Sequence, residues 1–182
     1  MKSKRQIYKL DTTSVLIVGT KAIEAKDIGM VVDDLRGVSA RVSVQAIDAN
    51  VVYGVEHLLE VMKVSLESKK RRIMIAKNPE TDLLLRLSYT NQISAGLKYG
   101  GIKNGVNCCF VIFAEGKNEL LKVHERIKKS FDIDDSVLRP NEEKRAMISS
   151  KIGIKDNSTL LNADDDTIFM RFICEKSCLI TV

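Results

Sequence analysis

Apolar residues recur along this chain with two different periods, and the switches between them outline the fold. Ser14-Val-Leu-Ile-Val18 is a short β-branched run ended by Gly19, which predicts a buried strand. Ile28, Val31, Val32 and Leu35 then fall at i, i+3, i+4 and i+7, one helical stripe closed by Gly37. Arg41-Val-Ser-Val-Gln-Ala-Ile47 alternates polar with apolar, the pattern of a strand with one covered face. Val55, Leu58, Leu59, Met62 and Leu66 predict a helix from about Gly54 to Lys69. Asn78-Pro79-Glu80-Thr81-Asp82 reads as a helix start: Asn78 can cap, Pro79 suits the first turn, and the acids face the positive end of the dipole. Leu83 to Leu87 continue that helix, with a buried strand as the alternative for so short a run. Thr90 or Asn91 opens a short helix carrying Ile93 and Leu97, stopped by Gly100-Gly101. The most apolar stretch, Val106–Ala114, predicts a central strand, and helices are expected over 118–130 and 142–152, separated by a polar loop with Pro140. A last helix, led by Asp164-Asp-Asp166, carries Ile168, Phe169, Phe172 and Ile173. Strands interspersed with helices imply an α/β (α+β) fold, a single mixed β-sheet flanked by helices. No repeat, low-complexity tract or linker interrupts the chain, so residues 1–182 read as one domain.

Composition narrows the class. At 182 residues and 45% hydrophobic, the chain can bury a core without a metal or disulfide staple. No window holds about 18 uninterrupted apolar residues, so no membrane helix is expected. The first residues are charged but lead into no apolar segment, so no signal peptide is expected and a cytoplasmic protein follows. Cys108 and Cys109 are adjacent, Cys174 and Cys178 lie four apart, and no Cys-x-x-Cys occurs. With His57 and His124 as the only imidazoles, this set does not suit zinc; reduced, structural thiols and no cofactor are expected.

Catalytic signatures are missing. No Walker loop, Gly-x-Gly-x-x-Gly after a strand, Gly-x-Ser-x-Gly or His-Glu-x-x-His occurs. His124 shares a helical face with Leu120, Ile127 and Phe131, which suits a packed histidine. His57 stands near a helix start, where it could approach an anion or a base or serve as a local cap. Charge is the feature that stands out. Lys63, Lys69, Lys70, Arg71, Arg72 and Lys77 face Glu67 alone between residues 63 and 77, a surplus of +5 that equals the net charge of the whole protein. Such a run focuses positive potential on one rim, and RNA phosphate is the evident partner. The alternative is a solvated helix end whose cations complement the dipole.

The stretch from Thr81 to Ile102 changes the picture. Asp82, Leu87-Ser88, Gln92-Ile93, Gly96-Leu97 and Gly100-Gly101-Ile102 resemble the pattern of the PRPK-binding protein (TPRKB) family, archaeal type. Upstream, Gln45 to Gly54 followed by His57-Leu58 is similar to that family's strand leading into a Gly-x-x-His-Leu helix start. Gly96 stands where the family has alanine, and Gly100 where an aromatic residue is common. The resemblance implies a non-catalytic accessory subunit of the KEOPS complex, which places threonylcarbamoyl on the adenosine beside the anticodon. Such a subunit binds the complex's small atypical kinase/ATPase and captures the tRNA 3′ CCA end, with no membrane partner. Carried onto this chain, the tRNA set is His57, Lys69, Lys70, Arg71, Arg72, Lys77, Tyr89 and Asn91, with the basic rim beside the helix opening at Gly54 and His57. The kinase set is Ile168, Phe169, Phe172 and Ile173, although the same stripe could complete the protein's own core. The rivals are a general RNA-binding module outside KEOPS and a small-molecule enzyme with an unseen site.

Overall fold

The computed structural model describes residues 6–24, 28–154 and 166–181. In chain order the elements are β1 (Ile7–Leu10), β2 (Thr13–Thr20), α1 (Ile28–Arg36), β3 (Val42–Asp48), α2 (Val55–Arg71), α3 (Pro79–Leu87), α4 (Ile93–Gly100), β4 (Cys108–Ala114), α5 (Lys117–Ser130), α6 (Glu142–Ile152) and α7 (Asp166–Cys178). Single turns of 3-10 helix lie at Ala49–Val51 and Asp135–Leu138. The expected elements are present within a few residues of their expected bounds. The acids Asp164 and Asp165, read as leading the last helix, lie outside the described residues.

The chain falls into two compact units, each assembled from two stretches: residues 1–49 with 101–137, and 50–100 with 138–182. The first unit holds the whole sheet, in the order β1-β2-β4-β3, with every pairing antiparallel. The sheet is therefore not mixed. β2-α1-β3 has the rhythm of a parallel crossover, but β4 inserts between the two strands and pairs antiparallel with both. α1 and α5 cover one face, where Leu16, Val18, Val44, Phe110, Leu120 and Ile127 form the core. His124 is buried on α5, as its spacing predicts. All seven residues of β4 are buried, and Gln45 and Ile47 of β3 are buried too, so the alternation in β3 does not mark a solvated face. β1 has no counterpart in the sequence analysis; four residues beside Lys4-Arg5 are too few to show a period.

The second unit is helical and positions the candidate site. Three of its helices end alike. After α2, Arg72 takes the left-handed conformation at φ 61°, its N–H bonding to Lys69 O while Ile73 N–H bonds to Ser68 O. Tyr89 at φ 51° closes α3 through Arg86 O and Leu85 O, and Gly153 closes α6 through Ser150 O and Ser149 O. This paired bonding satisfies the orphan carbonyls of a helix end, and it ordinarily selects glycine. α2 begins at Gly54, whose φ of 95° a side chain would strain. α4 lies tight on α3: a Cβ on Gly96 would come within 2.6 Å of Leu85 Cδ2, and one on Gly100 would collide with Ser88 Oγ. At both positions the glycine lets the α4 backbone lie close on α3.

Several polar groups inside this unit have specific partners. Asp82 is fully buried; one carboxylate oxygen accepts from Ile75 N–H at 2.7 Å and the other from Arg86 Nε at 2.7 Å. Arg86, also buried, donates further to Ser68 Oγ at 3.1 Å and to the carbonyls of Ser177 and Ile180 at 3.3 Å each. Lys144 reaches Val52 O at 2.9 Å. Tyr53, packed edge-on to Phe169, donates its hydroxyl to Asp166; burial and that carboxylate push the phenol up to about 12. His57 is fully buried and accepts from Tyr53 N–H through Nδ1 at 3.2 Å. Burial, with the Lys144 charge second, lowers its pKa to about 3.

Two outcomes follow from these contacts. Arg86→Met leaves the Asp82 carboxylate buried beside one N–H alone and destabilises the fold by about 3–5 kcal/mol, whereas Asp82→Leu/Arg86→Met costs less; urea unfolding measures both. His57 stays neutral when folded but takes up a proton near pH 6.5 when unfolded, so its stabilising contribution is complete above that pH and declines below it. Unfolding free energy in wild type should fall more steeply than in His57→Gln between pH 6 and 4, by close to about 1.4 kcal/mol per pH unit. Parallel slopes would refute the assignment.

Candidate nucleic-acid interface

The basic run lies on the last turns of α2 and the segment after it, within the second unit. α2 is amphipathic: Leu58, Val61, Met62 and Ser65 are buried, and Lys63, Glu67, Lys70 and Arg71 remain exposed. Its end is followed by Arg72 to Lys77, tied back to α3 by the Asp82–Ile75 hydrogen bond. Facing this segment are the end of α7 and the chain after it, where Arg86 binds the carbonyls of Ser177 and Ile180 and the Asn91 side-chain amide donates to Thr181 O at 3.2 Å. Together they enclose an open groove of about 960 Å³. Val64, Ile73, Met74, Cys178 and Ile180 supply its apolar lining, and Lys63, Arg71 and Arg72 its cations, with Arg86 held inside by its own partners.

The electrostatics of the rim are uneven. Arg71 pairs with Glu67 at 2.7 Å and Lys63 pairs with Glu60. Both pairs are exposed, a setting in which an ion pair is worth about 0–1 kcal/mol, so a phosphate can displace the glutamate. Lys69, Arg72 and Lys77 are exposed and make no ion pair among the described residues. The left-handed backbone at Arg72 puts a cation where glycine would be free of strain, at a cost of about 1 kcal/mol. Among the described residues no cluster of three or more His, Cys, Asp or Glu side chains could hold a metal ion, and no helix is long and apolar enough to cross a membrane.

The residues singled out from sequence separate in space. Lys69, Lys70, Arg71, Arg72 and Lys77 are all exposed at one end of α2, and Arg71 and Arg72 line the groove. His57 does not belong with them: it sits fourteen residues before Arg71, about 21 Å along the helix, and its ring is fully buried. Tyr89 is half-buried and packs against the Tyr53, Ile148, Phe169 and Ile173 cluster, so its ring is not free to stack on a base. Asn91 is exposed, and its amide holds the tail that forms one groove wall. On α7 the expected partner stripe divides. Phe169 and Ile173 have no exposed surface and, with Ser177, follow the i, i+4, i+8 line into the core. Arg145 lies 4.7 Å from the Phe169 ring centre. Ile168 is exposed and Phe172 half-buried, one residue and so about 100° around the helix. Phe169 and Ile173 are therefore corrected from partner face to core.

Other groove residues had no part in the site read from sequence. Arg86 lines the groove and stands at i, i+4 from the buried Asp82, a pair visible in the sequence, although the position of Asp82 in the first turn of α3 suits a dipole acid equally well. Ile73 and Met74 follow the basic run directly. Cys178, Ile180 and Thr181 carry no local signal, because bonds from Arg86 to Ser177 and Ile180 and from Asn91 to Thr181 bring this stretch to the site.

Comparison with known proteins adds the family. The model of the family described as kinase binding protein CGI-121 matches residues 21–147, well over half of the chain. Regulatory protein Cgi121 of Methanocaldococcus jannaschii is 34% identical over 104 residues, which cover 57% of this chain and 66% of that protein, just under two thirds of its length. Those matches agree with the pattern at Asp82, Leu87-Ser88, Gln92-Ile93 and Gly100-Gly101-Ile102: this chain belongs to the kinase binding protein CGI-121 family.

Proposed function

We propose that the chain is a non-catalytic accessory subunit of a KEOPS-type assembly, acting in the cytoplasm. It docks on the small atypical kinase/ATPase and holds the 3′ CCA end of tRNA in the groove beside the end of α2. Family membership supports the kinase arm. The observation that carries the RNA arm is the groove itself: an apolar lining of Ile73, Met74 and Ile180 under a rim of Lys63, Arg71 and Arg72. A single-stranded end needs both parts, cations for its phosphates and apolar surface for unstacked bases and sugars. With no aromatic ring lining the groove, affinity rests on phosphate contacts and shape, and binding weakens steeply with salt. The subunit positions; the bond-making belongs to its partners.

Filter binding against salt concentration tests the RNA arm. Arg71→Gln/Arg72→Gln should reduce tRNA affinity and flatten the slope of log K against log salt by about 1.4, two single-strand phosphates' worth. Removing the CCA end from the tRNA should weaken wild type in the same range; equal affinity for both tRNAs would favour a general RNA-binding module. Arg72→Gly isolates the rim from the fold. It relieves the left-handed backbone, so thermal stability should hold or rise by up to about 1 kcal/mol while tRNA affinity falls. A variant that gains stability and keeps full affinity would take Arg72 out of the interface.

A further inference from the structure

The two walls of the groove differ in charge. Lys63, Arg71 and Arg72 stand on α2 or directly after it, and Glu67 lies on the same side. The opposite wall contributes Cys178, Ile180 and Thr181. None of these three carries a charge; burial raises the pKa of the Cys178 thiol and keeps it neutral.

That uncharged wall is fastened by its backbone. Arg86, from inside, takes the carbonyls of Ser177 and Ile180, and the exposed Asn91 amide takes Thr181 O at the outer end. Asn91 is itself well anchored. On one side of it Thr90 N–H bonds to Leu85 O at 3.1 Å, and on the other Gln92 N–H bonds to Thr90 Oγ1 at 3.2 Å. The amide is thus presented by a bonded turn at the end of α3, and it sets where Thr181 lies.

An unpaired strand is lopsided, with phosphates along one edge and bases along the other. A duplex carries a backbone on both flanks of either of its grooves, and one of them would meet the uncharged wall. Cations on one side and an uncharged, partly apolar surface on the other therefore suit a single strand. Contact with that surface is short-ranged: a gap of about 0.5–1 Å forfeits a quarter to a half of the attraction. Base affinity then depends on how firmly residues 178–181 are held.

We infer that the groove orients an unpaired RNA strand, phosphates along α2 and bases on residues 178–181, and that Asn91 is the positioning residue that holds the base-side wall through Thr181. The inference rests on the tRNA-binding role proposed above, and it gives Asn91 a part played through the protein instead of a contact with RNA.

The test uses the full chain and two tRNAs, one with its unpaired 3′ nucleotides intact and one with those nucleotides abasic, compared by filter binding. Loss of the bases should weaken wild type at least about fivefold, and Arg71→Gln by the same factor. Asn91→Ala and Ile180→Ala should lose less than about twofold, because the wall they disturb no longer reads the bases. Asn91→Gln keeps the amide donor and should respond much as wild type does. In the free chain, Asn91→Ala should speed amide exchange over residues 179–181 with an unchanged unfolding midpoint. A full response to base loss in Asn91→Ala, or unchanged exchange over residues 179–181, overturns the inference. So does a full response in Ile180→Ala alone, since Asn91 would then touch a base itself. A wild-type chain that binds both tRNAs equally overturns it too and leaves tRNA binding standing. One that binds neither overturns both readings.

Discussion

The organisation of the helical unit depends on one buried ion pair. Asp82 and Arg86 lie one turn apart on α3, and beyond the bond between them their polar atoms reach other parts of the unit. Asp82 holds Ile75 and with it the segment after α2; Arg86 holds Ser68 on α2 and the carbonyls that end α7. Both walls of the basic groove therefore hang from α3. A buried ion pair is a poor source of stability, because desolvation offsets most of its attraction, but it tolerates few alternative arrangements. That specificity suits a groove proposed to receive a flexible single strand, since an ordered receptor leaves only the ligand's entropy to be lost.

The rim obeys a different rule. Its cations are exposed and cheaply paired, so they can exchange Glu67 for phosphate, whereas Arg86 is saturated by protein and contributes shape instead. Two arginines fifteen residues apart thus differ in role through burial alone. The outer face of α4 obeys a third. There, two glycines take over the packing that larger side chains usually perform, and leave Ile93 and Leu97 outward.

Legibility varied with the range of the cause. The strand at Ser14–Val18, the helix start at Asn78-Pro79 and the apolar strand before Ala114 rest on contacts between near neighbours, and each was readable. So was the concentration of charge after Lys63. The two misplaced sets have separate origins. His57 was grouped with Lys69 to Arg72 although the periodicity of α2 already placed them at opposite ends of one helix. Phe169 and Ile173 share an apolar stripe with Ile168 and Phe172, and composition cannot say which edge of a wide stripe meets Tyr53. β1 was too short to display a period.

The amino-acid order by itself determined the element succession, the site of surplus charge and the family pattern around Asp82, because each is a property of residues a few positions apart. Tertiary structure alone decided that β4 separates β2 from β3, that residues 178–181 face the basic run, and that two glycines press α4 onto α3. Each of these depends on loop closures and buried hydrogen bonds between positions about 10 to 100 apart, where no local pattern in the chain records which partner is met.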